Sequence, residues 1–226
     1  MHLNQIVSVK NLENQVKLIE LKLYSNQIQS LNGLEKLTEL TSLELKLNQI
    51  KSVSELSQMT KLITLSLDSN QVASIKELGK LEKLKYFYFV SNQLESIEYL
   101  KNLAYLTNVD ITNNSIDSLK PLSNQMNILS LKLDSNKIEK LVGIESLFKM
   151  TLLNLGSNQI RSIRELKNLT ELNNQDLSLN QIQALDGLEN LTKLTWLDLS
   201  SNIIQDLNVM KNLTLLKYLD LSINQI

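Results

Sequence analysis

The sequence predicts a repeat solenoid of the α/β class, with a parallel sheet on its concave inner side and 3₁₀ turns or short helix on its convex outer side. Three observations predict it. Asn4, Asn26, Asn48, Asn70, Asn92, Asn114, Asn136, Asn158, Asn180, Asn202 and Asn224 stand 22 residues apart with no slip along the chain. A fixed period of this length is the signature of stacked structural units. Apolar residues recur at fixed offsets from each asparagine, and their spacing changes from three to two within every period.

Counting forward from an asparagine, the second residue is always apolar, from Ile6, Ile28 and Ile50 to Ile204 and Ile226. Offsets five, eight, eleven, fourteen, seventeen and nineteen are apolar too; after Asn26 they are Leu31, Leu34, Leu37, Leu40, Leu43 and Leu45. The spacing of three reads as tight turns or 3₁₀ helix, in which residues i and i+3 eclipse on one face. The alternation Leu43-Glu44-Leu45 reads as a short strand. Strands are expected at 20–24, 42–46, 64–68, 86–90, 108–112, 130–134, 152–156, 174–178, 196–200 and 218–222. One turn cannot bury its own leucines, so turns stack, sharing one core and aligning strands about 4.8 Å apart. The bulkier return legs place the strands on the inside of the bend.

At the asparagine the chain leaves the sheet while still inside the stack. An orphaned backbone group there costs about 1–3 kcal/mol. The Asn side chain carries both donors and an acceptor and can serve its own turn and the next, forming a ladder.

The chain is read as one domain, 1–226, of about ten 22-residue repeats without caps. Leu219, Leu221 and Ile226 are expected to face solvent, which points to a fragment or to end-to-end self-association. Gln15, Gln125 and Gln175 break the apolar columns, and Gln175 is expected to point inward from a strand. Pro121 falls on a return leg, where turn backbone tolerates it. Gly33, Gly143 and Gly187 share the column seven after the asparagine and read as turn glycines. Three of the four Asn-X-Ser/Thr sequons are the repeat's own Asn-Leu-Thr phrase, at Asn168, Asn190 and Asn212, so they do not argue for glycosylation.

With 42% apolar but only 4% aromatic residues, the core must be mostly Leu and Ile. A net charge of −1 gives no electrostatic case for nucleic acid or an anionic membrane. The absence of cysteine excludes disulfides and thiolate metal sites. No stretch approaches the roughly 20 apolar residues of a membrane span. The N-terminus shows no signal-peptide pattern, so a cytoplasmic location is expected, or a cell-surface one if a leader has been removed. The single histidine, His2, stands near the start, and no cysteine nucleophile, Gly-rich phosphate loop or metal cluster is visible. No enzyme activity, metal or cofactor is expected.

The pattern L-x-x-L-x-L-x-x-N-x-I-x-x-L-x-x-L-x-x-L, as in Leu191 to Asn202 continuing to Leu213, resembles the leucine-rich repeat family. The 22-residue length is similar to two of its branches, the internalin type of bacterial surface protein and the leucine-rich regulatory subunit of protein phosphatase 1. The resemblance implies a horseshoe-shaped solenoid that binds another protein on its concave strands.

Inner-face side chains stand six, four and two places before each asparagine. Two clusters emerge: Tyr86, Tyr88 and Val90 beside Asp110, and Trp196 with Tyr218 flanked by Asp176, Asp198 and Asp220. Trp and Tyr dominate binding energy where a groove exposes them, and a row of aspartates favours a basic partner. The leading expectation is an intracellular scaffold or phosphatase-regulatory module. The alternative is an exported internalin-like adhesion protein.

Overall fold

The computed structural model describes residues 5–226; His2, Asn4 and the first expected strand stretch, 1–3, lie outside them. The chain forms two compact units, Met1–Asn114 and Ser115–Ile226. The first holds β1 (Glu20–Lys22), β2 (Ser42–Glu44), β3 (Thr64–Ser66), β4 (Tyr86–Tyr88) and β5 (Asn108–Asp110). The second holds β6 (Ser130–Lys132), β7 (Leu152–Asn154), β8 (Asn174–Asp176), β9 (Trp196–Asp198) and β10 (Tyr218–Asp220). Within each unit the strands pair in chain order, parallel, at a constant 22-residue register: Leu21 faces Leu43, Leu43 faces Leu65, and Leu153 faces Gln175.

Every strand begins where the alternation places it, but each is three residues long and not five. Its cause lies at the asparagine. Asn48 Nδ2 donates to Leu45 O of its own turn at 2.9 Å and to Leu23 O of the preceding turn at 2.9 Å, while its Oδ1 accepts from Ile28 N at 3.0 Å. Asn70, Asn158, Asn180 and Asn202 repeat this set. The amide thus occupies the carbonyl that a longer parallel ladder would offer to the next strand's backbone N–H. The ladder of asparagines is present, but each reaches back to the preceding turn rather than forward.

The return legs follow the spacing of three. 3₁₀ segments lie at Lys10–Leu12, Ser54–Gln58, Lys76–Lys80, Glu98–Asn102, Lys120–Leu122, Arg164–Asn168 and Asn208–Asn212, with no α-helix among the described residues. Pro121 sits in the first positions of its segment, where its missing N–H costs nothing. The three legs that carry Gly33, Gly143 and Gly187 are instead chains of tight turns, such as Leu34 N to Leu31 O and Leu37 N to Leu34 O. These glycines have φ of +103°, +114° and +113°. A Cβ at Gly143 would stand 2.3 Å from Leu119 O of the preceding turn, so sterics as well as φ demand glycine there.

Between strands and return legs lies a core of Leu, Ile, Val, Met and Phe, including Ile28, Leu43, Met59, Phe87 and Leu197, all without exposure. Gln175 is fully buried and Gln125 nearly so, as their columns predict. Gln15 is exposed, so no amide is buried there. In the last turn Leu219 and Ile226 are exposed, whereas Leu221 is half-buried. Outer-face charges pair across neighbouring turns, Lys61 with Glu39 at 2.6 Å and Lys193 with Glu171 at 2.6 Å. Such exposed pairs contribute about 0–1 kcal/mol each.

Candidate partner-binding surface

On a three-residue strand the central side chain enters the core and the flanking two stand outward. This places Tyr86, Tyr88, Asp110, Asp176, Trp196, Asp198, Tyr218 and Asp220 on the strand face, while Val90 lies two residues past the end of β4. In the second unit Trp196 and Tyr218 are register partners on β9 and β10. Their rings stack, centroids 5.0 Å apart and planes within 6°. Trp196 is half-buried and Tyr218 is 43% exposed, so the stack presents an open aromatic surface. Asp176, Asp198 and Asp220 lie side by side across β8–β10.

These aspartates also have work within the fold. Asp176 Oδ1 accepts from Ser178 N at 2.9 Å, Asp198 Oδ1 from Ser200 N at 2.9 Å, and Asp220 Oδ1 from Ser222 N at 2.8 Å. Those N–H groups are the ones the asparagine ladder leaves without a carbonyl. The same exchange recurs in the first unit, where Asp68 Oδ1 accepts from Val90 N at 2.9 Å and Asp110 Oδ1 from Thr112 N at 3.2 Å. The aspartate row is therefore a set of strand-end caps. The recurrent Asp-Leu-Ser at 176–178, 198–200 and 220–222 is its signal in the sequence.

The electrostatics of β8–β10 follow. Among the described residues no Lys or Arg forms an ion pair with Asp176, Asp198 or Asp220. Like charges directly opposite on neighbouring strands repel. Hydrogen bonds from Ser222 hold the Asp220 carboxyl below its ordinary pKa. Partial burial and then the Asp220, Asp198 and Asp176 charges push the Tyr218 phenol up.

In the first unit Tyr86 and Tyr88 flank the buried Phe87, which stacks on Phe89 at 4.3 Å. Tyr86 is exposed and Tyr88 half-buried, with Asp110 beside Tyr88 in register. Burial is the chief cause of a raised Tyr88 pKa. An open depression of about 340 Å³ is lined by Glu44, Lys46, Thr64, Ser66, Asp68 and Tyr88. Asp68 was not singled out from the sequence; burial pushes its carboxyl up. This face carries its own cations: Lys22 pairs with Glu20 at 2.9 Å and approaches Glu44 at 3.7 Å, and Lys46 lies over the Tyr24 ring at 5.3 Å. The two faces thus differ: the first carries lysines among its carboxylates, whereas the aspartates of β8–β10 have no ion pair among the described residues. Among the described residues no group of three acidic, His or Cys side chains is arranged to hold a metal, and no helix is long and apolar enough to cross a membrane.

Residues 4–114 match the family model for the leucine-rich repeat domain of the endo-β-N-acetylglucosaminidase EndoS. An internalin (InlF) from Listeria monocytogenes is 32% identical over 98% of the chain, with a TM-score of 0.96, and the chain spans 66% of that structure. Internalin C2 (InlC2) of the same organism is 25% identical over 93% of the chain and 84% of its own, with a TM-score of 0.71. The plant peptide hormone receptor RGFR1, solved in complex with RGF2, shares the fold at 19% identity and a TM-score of 0.77, over 98% of this chain and 42% of the receptor. No curated protein sequence matches the chain.

Proposed function

Because the chain is a leucine-rich repeat protein resembling the internalins, we propose that it is a non-enzymatic protein-binding module whose strand face at β8–β10 docks a basic polypeptide surface. One observation carries the reading: an open aromatic stack, Trp196 on Tyr218, beside three carboxylates with no cation of their own. Aromatic faces supply contact area at low entropic cost, and guanidinium groups both stack on them and pair with carboxylates. The face is a surface rather than a water-excluding pocket, which suits docking better than bond chemistry. The likeness to an internalin supports the exported branch over the intracellular one. Protease treatment of intact cells tests that location: digestion of the protein supports it, and full protection counts against it.

Trp196 is the only tryptophan, so its emission reports on this surface alone. Titration with an arginine-rich peptide should change that emission, with an affinity that weakens as salt rises. Asp198→Asn together with Asp220→Asn keeps an oxygen for each backbone cap and removes the charge. This pair should weaken binding by roughly tenfold at low salt. A silent tryptophan, or an affinity indifferent to both substitutions, would remove β8–β10 as the docking face.

A further inference from the structure

Three return legs share a motif in which glycine is followed two places later by glutamate: Gly33 and Glu35, Gly143 and Glu145, Gly187 and Glu189. In each, the glycine N–H donates to that glutamate's Oε2, at 2.8, 2.7 and 2.7 Å. The three turns have the same hand, with φ between +103° and +114°. What differs is the residue before glycine, which is Asn32, Val142 and Asp186. The clamp is therefore a property of the turn, while the chemistry open to it depends on one side chain.

We propose that Asn32–Gly33 is a site of succinimide-mediated deamidation that Glu35 holds in check. The Gly33 nitrogen, relieved of its proton, attacks the Asn32 side-chain carbonyl carbon. A new C–N bond closes a five-membered ring, the bond to the amide nitrogen breaks, and ammonia leaves with the proton. Water then opens the ring at either carbonyl, giving aspartate or isoaspartate at position 32. Glycine favours the attack because no Cβ hinders the approach, and Asn32 is exposed to the water that completes the reaction. The nucleophile is the same N–H that Glu35 holds. A carboxylate binding that proton in a charge-assisted bond keeps it on nitrogen and fixes the peptide plane. The reaction must wait for the clamp to open.

The other two legs are internal controls. Val142 has no side-chain carbonyl, so the Gly143 turn has the clamp without the reaction. At Asp186 the same ring would form with loss of water, more slowly. The Asn32 product also matters to the stack. Isoaspartate adds a methylene to the main chain beside Gly33, where even a Cβ would lie 2.5 Å from Lys10 Cα of the preceding turn.

The test is peptide mapping of the intact chain aged in mildly alkaline buffer, folded and in urea, scoring aspartate and isoaspartate at position 32. The folded chain should react about tenfold or more slowly than the unfolded one. Glu35→Ala should bring the folded rate most of the way to the unfolded rate. Glu35→Gln, which keeps an uncharged acceptor, should fall between. Glu145→Ala removes an equivalent clamp elsewhere and should leave the Asn32 rate unchanged, which separates local release from general loosening. The proposal is overturned if Glu35→Ala leaves the rate unchanged, or slows it, as it would were the carboxylate acting as a base. It is equally overturned if Glu145→Ala accelerates Asn32 as much as Glu35→Ala does, or if folding gives no protection.

Discussion

A buried amide without a partner is the plainest cost in the core. Gln175 has no exposure, and neither its Oε1 nor its Nε2 finds a hydrogen bond; its register neighbours are Leu153 and Leu197. An unsatisfied buried polar group costs about 1–3 kcal/mol. Gln175→Leu, which matches its neighbours in shape and polarity, should therefore raise stability by about 1–3 kcal/mol in thermal or urea melts. Gln125 also has an unsatisfied Oε1, but it retains another interaction, so Gln125→Leu should gain less. A Gln175→Leu melting point equal to or below that of the parent would mean the amide is satisfied, for instance by a bound water. That Gln175 points inward was legible from its column. Whether its amide found a partner was not, because that depends on side-chain placement rather than on period. Gln15 shows the converse: it occupies the same column as Gln125, yet lies exposed.

At the scale of the element, strand length is decided by an exchange of hydrogen bonds. The asparagine takes a ladder carbonyl, and an aspartate takes the backbone N–H thereby released. Asp68 does so between β3 and β4, accepting from Val90 N while Ser66 Oγ donates to its Oδ2 at 3.2 Å. Burial raises the Asp68 pKa above its ordinary value, outweighing both hydrogen bonds. The folded chain then holds this proton more tightly than the unfolded chain does. Its contribution is fully present below the ordinary carboxylate pKa, is lost as pH rises through the raised one, and is constant above it. Asp68→Asn keeps an oxygen for Val90 and an amide for Ser66 Oγ. The variant should remove that fall, so melting temperatures of parent and variant should converge toward low pH and separate toward neutrality, with the variant higher. A separation that does not depend on pH would place the effect in packing instead. The starts of all ten strands could be read from alternation, which reports only which side chains are buried. Their ends could not, because a side-chain amide competing for a carbonyl leaves no trace in hydrophobic period.

For the molecule as a whole, each turn meets only its neighbours, so stability approximates a sum of turn and interface contributions. Excising 159–180, one complete period, joins Asn158 to Gln181 and preserves every column. The shortened chain should still melt cooperatively, with a smaller urea m-value in proportion to its smaller buried surface. Its loss of stability should be partly offset, since Gln175 leaves with the segment. A non-cooperative melt would show that the turns are not interchangeable. The architecture was legible because the same pattern is written many times over. The surface was legible in part: the columns placed Trp196 beside Tyr218, but not the parallel stacking of their rings. Nor did they show that the aspartates serve the backbone first. Those facts live in residues where the repeat stops dictating the side chain. The backward reach of the asparagines carries one more consequence. A turn's Ile N–H receives its partner from the turn made after it, as Ile28 does from Asn48, and its Leu carbonyl gains its second donor there, as Leu23 does when Asn48 joins Asn26. A ribosome delivers this chain in the order in which it can be sealed: each newly emerged period locks the one before it, and the growing end alone stays open.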